Sequence, residues 1–307
     1  MIVYESNRFW VKDMVNFTRS YTMKKIIFGV LLIGSYTGLV CFLYEFYGLQ
    51  SNLHSGIYSL LGVILSILLV FRTNTAYDRW WEGRKQWGAL VNNCRNYAIM
   101  VESLLPANDK DTRRFFAKNI ANFCIALRDH LRDGVKTDAL LLLSDEEISE
   151  LTPKKHKPNH ISLWLYKKMT ALQKAGVLSE ADAINMKIHH NSLLDILGAC
   201  ERIRKTPIPF SYAVHIKLFI TVYGIMLPFG MIADFGYHTI GLVMVIFFAL
   251  LGLELMAEEV EEPFGVDCND LPTGDIAHNI KNNVFEILMD ERPVQEEAKR
   301  ELYEKIH

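Results

Sequence analysis

Residues 26–44 read IIFGVLLIGSYTGLVCFLY, a run without a single charged side chain. At about 1.5 Å per helical residue, such a run crosses roughly 30 Å of hydrocarbon. This stretch therefore sets the fold class, an all-α protein whose helices live in lipid. Three further uncharged stretches follow it. Residues 55–71 form the second. Residues 218–233, with Gly224 and Pro228, and residues 239–253 are shorter, and either alone fits a buried core helix. Joined by DFGYH at 234–238 they read together as a membrane hairpin, because the polar ends of both then meet one interface.

The placement of Lys and Arg gives an orientation. Arg19, Lys24 and Lys25 precede the first span, Arg72, Arg79, Arg84 and Lys85 follow the second, and the connection at 45–54 has neither residue type. Arg202, Arg204, Lys205 and Lys217 precede the third span, and the turn at 234–238 again lacks both. Positive charge collects on the cytoplasmic side, so the N-terminus, the middle and the C-terminus are expected there. The start of the chain shows no cleavable signal peptide pattern.

Composition agrees. The chain has 307 residues, half of them hydrophobic and only 22% charged, with a formal net charge of −2 and a mean hydropathy of +0.11. Disorder and collagen-like or disulfide-scaffold architectures are excluded. A nucleic-acid partner would call for a basic stripe that is missing. Cys41, Cys94, Cys124, Cys200 and Cys268 are scattered without a CxxC pair and read as reduced thiols.

The organisation expected is a cytosolic segment at 1–25, two membrane helices within 26–71, a cytosolic helical domain at 72–210, two more membrane helices within 211–253 and a cytosolic segment at 254–307. The middle domain reads as helical throughout. One helix stops at Pro106. A second runs from an Asn108 or Asp109 cap to Gly134, a short one covers DEEISEL, a fourth is capped by Asn159 and ends at Gly176, and a fifth is capped by Ser179 and ends before Pro207.

No enzyme motif stands out, whether phosphate loop, HExxH or GxSxG, and no cofactor is called for. His189 and His190, with Asp195 and Glu201 nearby, suggest a metal cluster at first sight. Adjacent helical residues point about 100° apart, so the two imidazoles read as packing or surface groups.

The second span carries more. At about 100° per residue, Val63, Ile67 and Phe71 fall within an arc of about 80°, and Asn74 and Asp78 continue the stripe if the helix runs on past the membrane. A second stripe collects Ser55, Ser59, Gly62 and Ser66, small residues that permit close helix packing in lipid. If copies of this helix surround an axis, the first stripe lines a hydrophobic constriction about 12 Å long that holds ions back by dewetting. Ordinary lipid-facing or core packing explains the same spacing. In the exit from this span, Arg72 and Arg79 are placed to pair with Asp78 or Glu82, and Trp80 and Trp81 suit an interfacial belt or an intersubunit core. After the fourth span, Glu254, Glu258, Glu259, Glu261 and Glu262 precede a Gly-containing turn with Asp267 and Asp270. That grouping either holds a hard cation such as Ca²⁺ or complements neighbouring cationic side chains.

FRTNTAYDRWWEGRKQWG (71–88), CERIRKTPIPFSY (200–212) and EEVEEPFGVDCNDLP (258–272) together resemble the bestrophin family, specifically its bacterial homologues. The resemblance implies a homopentameric channel for small monovalent ions in the bacterial inner membrane, with four transmembrane helices per subunit feeding a helical cytosolic vestibule. It also implies a neck of three residues spaced by four before the Arg-Trp-Trp run, which here falls on Val63, Ile67 and Phe71. Eukaryotic members carry two phenylalanines in the neck, and here Ile67 replaces the middle aromatic. With Asp78 below it, this leans the expectation toward cations such as Na⁺, with chloride the alternative. The family's calcium clasp is thinned to Asp267-Cys268-Asn269-Asp270, which leaves Asp267 and Asp270 as candidates for a weak Ca²⁺ site, the alternative being a metal-free clasp that ties the C-terminal segment to the vestibule. A second constriction at the cytosolic mouth has Ala181, Ile184 and Ile188 as candidates. A secondary transporter and a membrane scaffold are the competing classes. The spans hold no ionisable residue at mid-depth and no evident inverted repeat, which counts against transport.

Overall fold

The computed structural model describes residues 20–48, 55–267 and 269–289. Among them are nine α-helices, one short 3₁₀ turn at Thr137–Ala139 and no strand. In chain order the helices are α1 (Tyr21–Tyr47), α2 (Ser55–Leu104), α3 (Lys110–His130), α4 (Asp145–Leu151), α5 (Lys157–Lys174), α6 (Glu180–Lys205), α7 (Phe210–Phe235), α8 (His238–Glu261) and α9 (Thr273–Met289). Two compact units divide the chain between Trp80 and Trp81, between Thr206 and Pro207, and between Asp270 and Leu271.

The first unit contains α1, the beginning of α2, α7 and α8. All four helices are long and apolar enough to cross a membrane. Ser20 caps α1 through its side chain, which accepts from the Met23 N–H, and Gly48 ends the helix at φ 59°. The predicted hairpin is present, with Gly236 and Tyr237 alone separating α7 from α8. Gly236 takes φ 54° there, a value that a residue without Cβ adopts at little cost. Ile33, Tyr58, Leu65, Leu69, Ile216, Ile220, Tyr223, Leu227, Val243 and Leu250 form the common core.

Lipid is as apolar as these side chains, so close fit, rather than escape from water, holds such helices together. Glycines provide that fit. A Cβ on Gly230 would lie 2.3 Å from the Tyr58 ring, and one on Gly224 would lie 2.7 Å from Phe247. Gly62 belongs to the small-residue stripe expected to allow close helix packing, and it receives Tyr223 of the same chain, whose hydroxyl would sit 2.8 Å from an added Cβ. Ser66 bonds back to the Gly62 carbonyl of its own helix, Ser59 is exposed, and the Ser55 side chain lies outside the described residues.

The second unit is organised around α3, in which every residue from 116 to 127 except Lys118 is buried. It packs against α5 and α9, and α5 packs against α6. The later part of α2 contributes Trp87, Leu90, Cys94, Tyr97, Ala98 and Val101, all buried and all at helical spacing. Asn122, buried within α3, has both ends of its amide satisfied by the Leu141 backbone, at 2.9 and 2.6 Å. The four described cysteines, Cys41, Cys94, Cys124 and Cys200, are free and buried, and Cys268 lies outside the described residues.

The predicted Ser179 cap is present as a capping box with Asp182, and the DEEISEL helix has one between Ser144 and Glu147. Asp109 caps α3. Two predicted boundaries differ. α3 ends at His130, and the chain reaches Gly134, at φ 103°, through a turn closed by the Gly134 N–H on the Asp129 carbonyl. α5 is capped by His156 rather than Asn159, with Pro158 in the first turn. Proline lacks an N–H and has its φ preset, which suits it to a helix start.

Candidate functional site

α2 runs unbroken through the predicted stripe and on to Leu104. Its buried side is Tyr58, Leu65, Leu69, Arg72 and Ala76. Val63, Ile67 and Phe71 are each two positions from a core residue, hence about 200° around the helix. They are 57%, 51% and 60% exposed. Asn74 and Asp78 continue the same face and are also exposed. The predicted row is thus the face of α2 that the described residues leave largely uncovered.

The opposite side of the helix is fixed by charge. Arg72 is 1% exposed, and its guanidinium lies 2.8 Å from Glu261 and 3.5 Å from Glu254. The expected partners of Arg72, Asp78 and Glu82, are replaced by carboxylates of α8. Glu82 instead meets Arg202 of α6 at 2.6 Å. Glu261 also accepts the Ile208 N–H at 2.7 Å, and its carbonyl accepts from Arg79 Nε at 3.1 Å. One residue at the end of α8 therefore gathers α2 and the segment entering α7. Trp80 adds a bond from its indole to the Asn269 carbonyl at 3.0 Å.

In the turn after α8, Asp270 is 1% exposed, and its Oδ2 accepts the Asp267 N–H at 2.6 Å. A Cβ on Gly265 would lie 2.6 Å from that same oxygen. One of the two predicted calcium ligands thus uses its carboxylate to close the turn that carries the other. In the second unit, Ala181, Ile184 and Ile188 share an exposed face of α6, while Ala183, Met186 and His190 are buried on its other side.

His189 and His190 part company as expected. His189 meets Asn93 and His190 meets Ser162. Glu201, however, joins a trio that the sequence did not reveal. His130 Nε2 and His156 Nε2 both lie on Glu201 Oε1, at 2.6 and 2.9 Å, and Lys205 reaches Oε2 at 3.2 Å. Burial opposes the charge on Glu201, but donors from His130, His156 and Lys205 outweigh it and bring its carboxyl to about 2. Burial lowers His130 in spite of the carboxylate beside it. A neutral imidazole donating an N–H to an ionised carboxylate satisfies both directions.

Four apolar helices, one of which leaves a hydrophobic row uncovered and continues into a helical unit, define a class of membrane protein. Residues 1–286 match the family described as bacterial and fungal bestrophin proteins. A voltage-dependent anion channel-forming protein of Nostoc is 35% identical over 230 residues, covering 73% of this chain and 75% of its own. The Escherichia coli K12 protein of the same description, YneE, is 32% identical and covers 75% of each chain. The crystal structure of a bacterial bestrophin homologue from Klebsiella pneumoniae superposes with a TM-score of 0.80 at 30% identity, covering 86% of this chain and 98% of that one. The chain belongs to the bestrophin family.

Proposed function

We propose that this protein is a passive channel for small monovalent ions, assembled as a homopentamer with Val63, Ile67 and Phe71 as the neck. The observation that carries this reading is the uncovered apolar row on α2, directly opposite the stripe that packs into the chain's own core. Five such rows around an axis make a narrow, water-repelling passage about 12 Å long. Asn74 and Asp78 follow on the cytoplasmic side, and Ala181, Ile184 and Ile188 supply a second constriction. The Lys and Arg distribution favours a cytoplasmic side for both termini, and the bacterial relatives favour the inner membrane as the site.

The relatives' names favour anions as the cargo and lend no support to the cation preference expected from the aliphatic neck. Phe71 is the physical basis for an anion, because aromatic ring edges carry positive potential. A cation-selective reading has one specific observation behind it, the exposed Asp78 carboxylate on the pore stripe. The reversal potential of the purified protein in a planar bilayer under a tenfold NaCl gradient separates the two. Reversal near the chloride potential supports the anion channel, and reversal near the sodium potential supports the Asp78 reading. Adding Ca²⁺ tests Asp267 and Asp270, and an unchanged current removes calcium from the account. Saturable flux driven by a second gradient points to a transporter, and no flux at all points to a scaffold.

A further inference from the structure

We propose that His130, His156 and Glu201 form a binding site for a first-row divalent cation of the zinc type. The three residues offer one ligand atom each, and all three atoms lie within 4.8 Å of one another. This is the one such His, Cys, Asp or Glu group found among the described residues. Each comes from a different helix end, namely the last turn of α3, the cap of α5 and the last turns of α6.

The donor chemistry chooses the ion. Two imidazole nitrogens and a carboxylate oxygen suit Zn²⁺ and its neighbours, whereas Ca²⁺ and Mg²⁺ prefer all-oxygen sets. Zinc binds nitrogen at about 2.0–2.1 Å and oxygen at about 2.0–2.2 Å, which puts ligands of a tetrahedral site roughly 3.3 Å apart. The present contacts of 2.6 and 2.9 Å need to open by about half an ångström, and the two imidazole nitrogens, within 4.8 Å of each other, need to settle at the same spacing.

The surroundings permit entry and hold the frame. The side chains are 22%, 33% and 19% exposed, so a hydrated ion can reach them. A cavity of about 550 Å³ borders His156 and Glu201 and extends past Asn159, Asn191 and His190, leaving room for water in the remaining coordination positions. Arg204 donates to the carbonyls of His130 and Arg132, which pins the end of α3 beside α6.

Coordination displaces the two N–H contacts to Glu201. Each ring proton moves from Nε2 to Nδ1 through solvent, so no net proton is released. At His156 this change gives up the long 3.3 Å cap bond from the Asn159 N–H. Lys205 keeps its place on the far carboxylate oxygen. Its positive charge, although largely exposed, opposes the incoming cation, so the affinity falls below that of a closed structural zinc site.

The test uses the untagged full chain in detergent, stripped by dialysis against a chelator and titrated calorimetrically with Zn²⁺ alone and with Ca²⁺ alone. One Zn²⁺ per chain is expected, without a comparable response to Ca²⁺. His130→Gln, His156→Gln and Glu201→Gln should each weaken binding at least tenfold. His160→Ala, which removes a histidine paired with Glu150, should leave it unchanged. Co²⁺ should give the intense visible bands of a low-coordinate imidazole site in the wild-type protein, a reading independent of whether any variant folds. No zinc uptake at micromolar concentration, or uptake that survives both histidine substitutions, overturns the proposal and leaves the trio as a hydrogen-bonded hub. Neither outcome depends on ion conduction.

Discussion

Arg72 Nη2 and Glu261 Oε2 meet at 2.8 Å with side-chain exposures of 1% and 11%, directly behind the row that carries Phe71. A buried ion pair adds little net stability, because both charges have left water, but removing one partner strands the other. Arg72→Met leaves two buried carboxylates, Glu254 and Glu261, and should cost about 3–5 kcal/mol. Thermal unfolding in detergent should show a large fall in Tm. Arg72→Met with Glu254→Met should recover part of it, since Glu261 retains the Ile208 N–H. A single variant as stable as wild type would refute the stranded-charge argument.

Close helix approach leads to a second expectation. Gly230→Ala places a methyl 2.3 Å from the Tyr58 ring, a contact that forces α2 and α7 apart or drives Tyr58 off its rotamer. Overpacking of this kind costs about 1–3 kcal/mol. Gly241→Ala, where an added Cβ meets nothing, is the control and should be neutral. Equal effects of the two on Tm would mean that the Tyr58 contact is relieved without cost and that packing does not set the outcome.

By contrast, the pair between Arg202 and Glu82 has side-chain exposures of 67% and 37%. Exposed pairs contribute about 0–1 kcal/mol and weaken with salt. Arg202→Ala should therefore shift unfolding by less than about 1 kcal/mol, although this contact is shorter than the one at Arg72. A large loss in high salt would show that Arg202 does more than pair with Glu82.

These contrasts mark what could be read in the chain. Four membrane helices were legible because a span is a local property, a run without charge. The uncovered face of α2 was legible because helical period converts spacing into direction, and no proline interrupts residues 55–104. Arg72 was misassigned to local partners, since its carboxylates lie on α8, far along the chain, and only tertiary packing brings them close. The trio at Glu201 was invisible for the same reason, with His130 and His156 on separate helices. At α5, Asn159 looked like the cap by residue type. The first turn instead closes on His156, whose Nδ1 accepts the Asn159 N–H, and no propensity for histidine signals that.

The proposed neck predicts a conductance change. Val63→Ala, Ile67→Ala and Phe71→Ala together remove the bulk from a row that lies outside the core of the described residues and is more than half exposed, so the fold should survive with little change in Tm. A wider and less water-repelling passage should carry several-fold more current. Single-channel recording with a parallel unfolding measurement decides the matter. Unchanged conductance in a folded triple variant takes the neck away from these residues.

On the proposed channel reading, Asp78 bears on the sign of the charge carried. Its side chain is exposed on the same face as Phe71, seven residues on, or about 10 Å further along the helix. In a ring of subunits the carboxylates raise the local concentration of cations and oppose anions, over a Debye length of about 8 Å at physiological salt. Asp78→Asn should therefore favour chloride whichever ion the wild type prefers, and the effect should shrink as salt rises. If the aromatic neck sets an anion preference, the wild type already lies near the chloride value, and Asp78→Asn mainly raises chloride current. If the ring sets a cation preference, the same substitution collapses it. An unchanged reversal potential at low salt in a cation-preferring wild type, or an unchanged chloride current in an anion-preferring one, would place the determinant elsewhere on the exposed stripe, with Asn74 or Phe71 the next residue to change.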